Sequence, residues 1–461
     1  MDSVTRRSPM PVPVEALWAW HTRPGALERL LPPWDPVRVV ARTGGIANGT
    51  RVTLAVPFGP VRLRWVSEHR DVDPPHGFAD EQVAGPFARW VHVHVMDADG
   101  PAASILEDRI EYAGPAGPVG RAIARRAVAA RLPALLRYRH ETLAADLAAH
   151  ARVAGHPRQT VGITGASGLI GTALTHFLTS GGHRVVRFVR GPAGGAAGDS
   201  PDVVAWDPQR GFPSPDRVPA LDAVIHLAGA GVADARWTPA RMAVIRDSRE
   251  QGTATLARAL AALPRPPRTL LCASAIGYYG FEGQAPVDET APMGGGFLAD
   301  VCGRWEAAAD PARAAGLRVA HLRLGLVLTP AGGMLKTLLP VFRAGAGGVV
   351  GPGTQGMSWV GLDDVVGAFH HALFDDTLAG PVNVTAPEPV SNAVFTKAIG
   401  RALHRPALLP APAFALRLLL GRQMADETAL SSAWVRPARL EAIGYPFRHR
   451  TLDAALAHYV P

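Results

Sequence analysis

Cysteine is nearly absent from this chain of 461 residues, which contains only Cys272 and Cys302. Two isolated cysteines exclude a disulfide framework and a Cys-x-x-Cys metal pair, and a reduced compartment is then the default. No apolar run reaches the roughly 18 residues that a membrane span needs. The nearest one, residues 413–420, is interrupted by Arg417. The first residues also lack the apolar core of a secretory signal, so we expect a cytoplasmic protein without a membrane span.

Lysine is equally scarce, because Lys336 and Lys397 are the only two, and arginine carries almost all of the positive charge. The net charge is +8, but the basic residues are dispersed along the chain. They form no run of about five or six and no basic strand interleaved with aromatic residues, so we expect no nucleic-acid partner. A hydrophobic fraction of 48% and a charged fraction of 19% are ordinary for a soluble globular protein. The length allows two or three domains.

Glycine is concentrated where the chain reads VGITGASGLIG, residues 161–171. The apolar start predicts a buried strand, and Gly165, Gly168 and Gly171 follow at the spacing of a dinucleotide-binding loop. Such glycines allow a tight turn, a close approach of the backbone to a pyrophosphate, and packing of the next helix on the strand. A helix over 169–180 and a strand over 183–190 complete a β-α-β unit. The sequence therefore predicts dinucleotide binding.

The second strand of this unit ends in FVR, with Arg190 at its tip. NAD-binding sheets of this type end that strand in an acid that accepts from the ribose 2′-hydroxyl, and no carboxylate stands here. An arginine would instead pair with a 2′-phosphate, so we predict NADP(H) over NAD(H). A solvated loop cation is the alternative for Arg190. A later strand ends in HLAG, residues 226–229, whose small residues would let a cofactor pass close to the backbone.

Strands and helices alternate from residue 160 to about 403, which predicts an α/β fold with a doubly wound parallel sheet. TGASGLIG, HLAG, RWTPARMAVIRDSREQGT, ASAIGYYG, FLADVCGRWEAAA, LRLGLVL and MSWVGLDDVVGA together resemble the atypical, epimerase-like branch of the short-chain dehydrogenase/reductases, in the NAD-dependent epimerase/dehydratase superfamily. The stretch that begins GPVNVTAPEPVSNAVF and ends FALRLLLG, residues 380–421, resembles the small C-terminal domain of that branch. We predict a Rossmann-type domain over 160–403 and a small helical domain over 404–461.

This resemblance implies roles for individual residues. The glycine loop would meet the pyrophosphate, Val189 and Arg190 the adenosine 2′-phosphate, and Val327 the nicotinamide side. Arg249 would reach toward the cofactor, with a surface helix cation as the alternative. The residues implied to contact the cofactor are Gly165, Ser167, Gly168, Leu169, Ile170, Gly171, Val189, Arg190, Leu227, Ala228, Gly229, Arg249 and Val327.

The usual catalytic pair of short-chain reductases, Tyr-x-x-x-Lys, is missing. None of the six tyrosines has lysine four residues on, and the resemblance places Leu298 and Cys302 where the pair belongs. Ser274 stands where the family has its serine. Tyr278 or Tyr279 could supply a phenol and Cys302 a weak acid, if its pKa were lowered toward neutral. Packing roles are the alternatives, and the candidate catalytic residues are Ser274, Tyr278, Tyr279 and Cys302.

We predict a separate α+β unit over residues 1–150 and a linker over residues 151–159. We expect a helix over 14–31 that breaks at 22–25, strands over 37–42, 49–57, 61–71, 89–97 and 104–112, and a helix over 119–150. ALWAWHTRPGALERLLPPW, GPFARW and LEDRIEYAGP, the last predicted as an edge strand, resemble the helix-grip superfamily of polyketide cyclases and START-type lipid carriers. The resemblance implies a cavity for an apolar ligand. Core packing is the favoured interpretation for Trp18, Trp20, Trp34, Trp65 and Trp90.

His92 and His94 alternate on one face of the predicted strand WVHVHV. A metal site would need a third ligand, which the sequence does not identify. We therefore expect no metal site and favour a core or solvated role for both histidines.

Two functions from different classes fit the sequence. The first is an NADP(H)-dependent oxidoreductase or epimerase-like enzyme whose small or lipophilic substrate is held by the N-terminal cavity. The second is a catalytically silent NADP(H)-binding sensor, which the missing catalytic pair favours. A pure hydrophobic-ligand carrier with a decayed reductase is a third, less favoured because the glycine loop and Arg190 are intact. The sequence does not determine the oligomeric state.

Overall fold

The computed structural model describes residues 2–115, 117–191, 200–209 and 211–461. The chain divides into two compact units, the first comprising residues 1–157 with 176–182 and the second residues 158–175 with 183–461. Among the described residues, no helix combines the length and the apolar character that crossing a membrane requires. The predicted domain limits at 150, 160 and 404 stay predictions.

The first unit is an antiparallel sheet with one long helix, in agreement with the predicted α+β class. Its strand order is β1-β7-β6-β5-β4-β3-β2. The elements are β1 (Asp2–Met10), α1 (Val14–Thr22), α2 (Ala26–Arg29), β2 (Arg38–Arg42), β3 (Arg51–Phe58), β4 (Val61–Asp73), β5 (Gly77–Ala84), β6 (Arg89–Ala98), β7 (Ser104–Ala113) and α3 (Gly117–Arg152).

Two strands of this sheet, β1 and β5, were not predicted from the sequence. The prediction that LEDRIEYAGP forms an edge strand is wrong, because β1 pairs along the whole of β7 and takes the edge itself. The sequence of β1, DSVTRRSPM, is polar, and its residues alternate between half-buried and exposed positions, as suits an edge strand. The sequence of β5, GFADEQVA, contains glycine and two acids, which are depleted in strands.

Helix α3 buries one face against the sheet. Val128, Leu132 and Leu136 are spaced four residues apart and pack with Ile110 and Tyr112 of β7. Full burial of each such aliphatic side chain contributes roughly 1.5–3 kcal/mol. Of the five tryptophans, Trp20 is fully buried in the core beside α1, which confirms the packing interpretation for it. The other four, Trp18, Trp34, Trp65 and Trp90, are half-buried and contact aromatic neighbours.

The second unit contains the remaining elements. They are β8 (Thr160–Thr164), α4 (Leu169–Ser180), β9 (Arg184–Arg190), β10 (Val203–Trp206), β11 (Ala223–His226), α5 (Pro239–Ala261), β12 (Thr269–Ala275), α6 (Phe297–Ala307), α7 (Asp310–Ala314), β13 (Arg318–Leu324), β14 (Leu326–Leu328), α8 (Gly333–Arg343), β15 (Gly356–Met357), β16 (Trp359–Gly361), α9 (Leu362–Phe374), β17 (Gly380–Val384), β18 (Val390–Ser391), α10 (Asn392–Ala402), α11 (Ala413–Leu420), α12 (Arg422–Glu427), α13 (Ala438–Ala442) and α14 (Leu452–Tyr459). The last five residues of α4 group with the first unit.

The main sheet of the second unit has the order β10-β9-β8-β11-β12-β13-β17, with every pair parallel. This is the doubly wound arrangement that the sequence predicted. The strand order reverses between β8 and β11, and ligands of such sheets bind at the carboxyl ends of the strands beside that reversal. The segment 298–316, which the sequence predicted as one helix, is instead α6 and α7, because Pro311 has no N–H with which to continue α6.

Candidate functional site

The turn after β8 requires glycine at two of its three glycine positions. Gly165 has a φ of +69°, and a Cβ there would lie 2.8 Å from the carbonyl carbon of Leu227. A Cβ on Gly171 would lie 2.2 Å from the Gly165 oxygen. The two glycines therefore let the turn pass close to the end of β11 and to the start of α4.

Gly168 differs from these two because its surroundings are less crowded. A Cβ built there would meet a single atom within 4 Å, the Gly165 oxygen at 3.2 Å. Ser167 and Gly168 are exposed at the start of α4, where the first N–H groups of a helix lack intrahelical acceptors and the dipole favours an anion. An exposed helix start without a side chain at Gly168 allows close approach of an anion, and this arrangement fits a pyrophosphate.

The end of β11 is held to the end of β8 by Thr164, which the sequence analysis did not single out. Its hydroxyl oxygen accepts from the N–H groups of Leu227 and Ala228 at 3.2 and 3.3 Å. It also lies 2.7 Å from Nδ1 of His226, whose Nε2 is 2.9 Å from the Thr253 hydroxyl. Burial, with a smaller contribution from a nearby arginine, lowers the pKa of His226 to about 4, so its ring is neutral.

Arg249 projects from α5 to the segment that follows HLAG. Its Nη1 donates to the carbonyl oxygens of Ala230 at 2.9 Å and Ile245 at 3.1 Å. The guanidinium carbon lies 4.9 Å from the centre of the Trp305 ring, and a Cβ on Gly229 would come 3.4 Å from it. Arg249 is therefore no solvated surface cation, and it stands beside the Leu227–Gly229 backbone.

The predicted phosphate and nicotinamide residues lie at opposite sides of the turn. Arg190 is exposed at the last position of β9, with Val189 half-buried before it. Leu169, Ile170 and Val327 are half-buried and pack against one apolar cluster. The start of α4 and β14 therefore share one apolar cluster, and the contacts of these residues with a cofactor stay predictions.

Glu306 of α6, one helical turn beyond Cys302, forms a buried ion pair with Arg323 of β13. Arg323 donates from Nε and Nη2 to the two carboxylate oxygens of Glu306, both at 2.8 Å, and the side chains are 4% and 13% exposed. The Ser274 hydroxyl donates to Glu306 Oε1 at 2.7 Å. Burial opposes the charge on Arg323, but its bonds with Glu306 outweigh burial and raise its pKa. Ser274 is consequently engaged with a carboxylate rather than with a tyrosine.

Both candidate tyrosines contact Arg323. The Tyr279 hydroxyl accepts from Arg323 Nη1 at 2.9 Å and donates to Asn383 Oδ1 at 2.8 Å. The guanidinium carbon lies 3.4 Å from the centre of the Tyr278 ring. Burial raises the pKa of Tyr279 despite the arginine, so the phenol keeps its proton near neutral pH. The structure gathers Ser274, Tyr278 and Tyr279 around one arginine at the carboxyl ends of β12 and β13.

Cys302, the fourth candidate catalytic residue, is buried in α6. Burial raises the pKa of its thiol to about 12. A thiol with that pKa is protonated at neutral pH and is a poor acid. Its catalytic role stays a prediction that the geometry does not favour.

The segment that leads into α6 is fixed on both of its sides. The Gly294 N–H donates to the carbonyl oxygen of Tyr278 at 2.9 Å. At the start of the helix, the Leu298 N–H donates to the Glu427 carboxylate of α12 at 2.8 Å. The segment therefore lies between the tyrosine pair and the C-terminal helices.

Sequence reasoning missed the acid and the arginine that dominate this site. Arg323 interrupts the apolar strand RVAHLRL, and a charge in a buried parallel strand requires a partner. That signal could have identified the arginine. The sheet register places Ser274, Arg323 and Asn383 side by side on β12, β13 and β17, and such register is not visible in a single sequence.

The doubly wound sheet, with its glycine turn at the strand-order reversal, defines a Rossmann-type α/β protein. Comparison with known families then gives the particular family. Residues 161–384 match the family described as "NAD dependent epimerase/dehydratase family". Residues 10–137 match the family described as "Polyketide cyclase / dehydrase and lipid transport", and residues 411–459 match a domain of unknown function. The chain belongs to the epimerase family.

Relatives and solved structures agree with this assignment. An epimerase family protein of Mycobacterium bovis is 43% identical over 298 residues, which are 65% of this chain and 96% of the relative. The crystal structure of a nucleoside-diphosphate sugar epimerase from Corynebacterium glutamicum has a TM-score of 0.81 at 32% identity, covering 99% of this chain and 90% of its own. The crystal structure of the human epimerase family protein SDR39U1 with NADPH has a TM-score of 0.59 at 32% identity. The match covers 65% of this chain and 99% of the human one.

Proposed function

We propose that the second unit binds NADP(H) at the turn after β8. The observation that carries this proposal is the exposure of Ser167 and Gly168 at the start of α4, where unpaired N–H groups and the helix dipole favour a phosphate. Arg190 at the tip of β9 would pair with the 2′-phosphate, since no acid takes that position. Leu227, Ala228 and Gly229 would lie along the cofactor, with Arg249 beside them, bonded to the carbonyl oxygen of Ala230, and Val327 on the nicotinamide side. The human relative solved with NADPH supports the choice of nucleotide.

The reaction that we propose is that of an epimerase-like oxidoreductase of unidentified substrate. Bound NADP(H) supplies hydride transfer at its nicotinamide. Of the chain's own residues, Tyr279 keeps a proton on its hydroxyl, and Arg323 fixes that hydroxyl from 2.9 Å. Glu306 holds Ser274 and Arg323 in place. A substrate oxygen that replaced Asn383 Oδ1 as the acceptor of the Tyr279 hydroxyl would thus find a proton donor beside a cation.

Nucleotide binding by calorimetry tests the cofactor assignment. Removing a charge-assisted bond to phosphate costs roughly 1.5–3 kcal/mol, so Arg190→Ala should weaken NADPH binding about 10-fold to 100-fold and leave NADH binding nearly unchanged. Arg187→Ala is the matched control, because Arg187 is exposed on β9 and about 10 Å from the tip. Equal affinity of the wild type for both nucleotides would refute the NADP(H) preference.

A catalytically silent NADP(H)-binding sensor is the second candidate. It is favoured by the hydrogen bonds that already occupy Ser274 and Tyr279. NADPH oxidation in the presence of a panel of aldehydes and ketones separates the two functions. Turnover that Ser274→Ala abolishes would favour the oxidoreductase, whereas tight NADPH binding without turnover on any member would favour the sensor.

For the first unit we propose binding of a small, lipophilic ligand. The match of residues 10–137 to a family described by polyketide cyclases and lipid transport supports this. Saturable binding of a fluorescent fatty acid to the full-length protein is the expected result. Absence of saturable binding of such probes would count against the proposal.

A further inference from the structure

The inward face of the first unit's sheet carries a polar cluster that neither the fold nor the proposed NADP(H) site requires. On β6 the histidines face inward and the valines between them are less buried, which inverts the usual alternation. We call this group the histidine–aspartate cluster; its members are His69, Asp80, His92, His94, Asp108 and His140.

The strand register assembles the cluster. His69 of β4 stands opposite Asp80 of β5, which stands opposite His92 of β6, so the three form one row across three strands. In the next row His94 of β6 stands opposite Asp108 of β7. Side chains directly opposite on neighbouring strands are about 5 Å apart and meet.

His94 connects the two acids. Its Nδ1 lies 2.6 Å from Asp108 Oδ1, and its Nε2 lies 3.5 Å from Asp80 Oδ2. Asp108 also contacts His140 Nε2 at 3.1 Å and His92 Nε2 at 3.4 Å. The side chains of His92, His94 and Asp108 are less than a tenth exposed, whereas Asp80 is 23% exposed. The cluster is therefore buried, with one carboxylate accessible from outside.

Asp108 Oδ1 pairs with two histidines of the cluster. It lies 2.6 Å from His94 Nδ1 and 3.4 Å from His92 Nε2, so these atoms have charged partners in the buried interior. Nε2 of His94 has a longer contact, 3.5 Å from Asp80 Oδ2. The side of His94 that faces Asp80 is therefore held less closely than the side that faces Asp108.

We infer that Asp80, His92 and His94 bind one divalent transition-metal ion. One ligand atom from each of the three lies within 4.8 Å of the other two. Ligand atoms around a tetrahedral ion at roughly 2.0–2.1 Å are about 3.3 Å apart, so the atoms must approach one another by at most about 1.5 Å to close the site. Two imidazoles and a carboxylate suit zinc or ferrous iron and leave a coordination position open for water or a ligand.

Asp108 has a separate part in this site. Metal-binding histidines commonly donate their other ring N–H to a carboxylate, which fixes the tautomer and raises the basicity of the ligand. With Nε2 of His94 toward Asp80 and Nδ1 at Asp108, the arrangement is of that kind. Asp108 is thus a positioning residue. Two cations also face the cluster. Arg6 of β1 stands opposite Asp108, and Arg139 lies on α3. The carboxylates of Asp80 and Asp108 offset their charge.

The test uses the full-length protein, stripped with chelator and titrated with Zn²⁺ in a calorimeter. The wild type should bind one equivalent that His92→Gln weakens at least 100-fold, and Asp108→Asn should weaken it about 10-fold to 100-fold. His76→Gln, an exposed histidine of the same unit, and His370→Gln, a buried histidine of the second unit, are the controls. Neither should change the affinity.

A measurement on the wild type alone guards against variants that fail to fold. X-ray absorption of the zinc-loaded protein should show only nitrogen and oxygen ligands near roughly 2.0–2.1 Å, including two imidazoles, and anomalous scattering should place the ion between Asp80, His92 and His94. No stoichiometric binding, binding unaffected by His92→Gln, binding lost in His370→Gln, or an ion located elsewhere would each overturn the inference. Because the readout is metal binding, failure leaves the NADP(H) proposal untouched.

Discussion

The buried pair of Glu306 and Arg323 should be a major source of stability in the second unit. Glu306→Gln keeps the shape of that side chain and one acceptor oxygen but removes the negative charge. Arg323, 4% exposed, would then retain its charge with no carboxylate beside it. Ser274, whose hydroxyl donates to Glu306 Oε1 at 2.7 Å, would lose its charged acceptor.

The magnitude follows from burial. Breaking a buried ion pair by removing one partner costs about 3–5 kcal/mol, and the lower end applies because the amide still offers one oxygen to the guanidinium. For a unit of this size the dependence of stability on urea is roughly 3 kcal/mol per molar. A loss of about 3 kcal/mol should therefore lower the urea midpoint by about 1 M.

Equilibrium urea unfolding, followed by tryptophan fluorescence and circular dichroism, measures this shift. Asp300→Asn is the matched control, since Asp300 pairs with Arg304 at 2.9 Å on the same helix while both side chains are about half exposed. Exposed pairs contribute roughly 0–1 kcal/mol, so the control should shift the midpoint by less than about 0.3 M. If both variants shift the midpoint equally, the assignment of stability to the buried pair is refuted.

Two further predictions concern the turn and the pH dependence of the second unit. Gly168→Ala should reduce NADPH binding at least 10-fold with a small loss of thermal stability, since its Cβ would meet one atom, the Gly165 oxygen, at 3.2 Å. Gly171→Ala should lower the melting temperature much more, because its Cβ would lie 2.2 Å from that same oxygen. Calorimetry measures the binding and thermal unfolding the stability, and equal melting temperatures of the two variants would contradict the steric argument. Burial lowers the pKa of both His226 and His321 to about 4, so between about pH 6.5 and pH 4 the unfolded chain binds protons that the folded chain does not, and stability falls as the pH falls. Each histidine contributes on the order of 3 kcal/mol of unfolding free energy across that range. In urea unfolding at several pH values, His226→Asn should remove about half of the second unit's loss of stability in acid, and His404→Asn, at an exposed position, should remove none. An unchanged pH dependence of the unfolding free energy in His226→Asn would contradict the assignment.

Much of the second unit could be read from the sequence because its signals are local. A buried strand, three spaced glycines and an amphipathic helix occupy one continuous stretch, and the parallel sheet follows from the alternation of such units. The absence of Tyr-x-x-x-Lys is also a local fact. From Gly165 to the end of α4 at Ser180, where spacing along the chain sets the structure, the prediction and the structure agree.

The composition of the two polar sites was decided by tertiary structure. Glu306 belongs to a helix and Arg323 to a strand, and only the packing of α6 on the sheet joins them. Likewise Asp80 lies on a strand that its own sequence does not favour, and only the pairing of β5 with β6 brings it opposite His92. Cross-strand neighbours depend on register, and register is set by the core and the turns of the whole sheet rather than by the residues that meet. The sequence by itself therefore determined the glycine turn after β8 and the absence of the usual catalytic pair, while the fold determined which charges stand together.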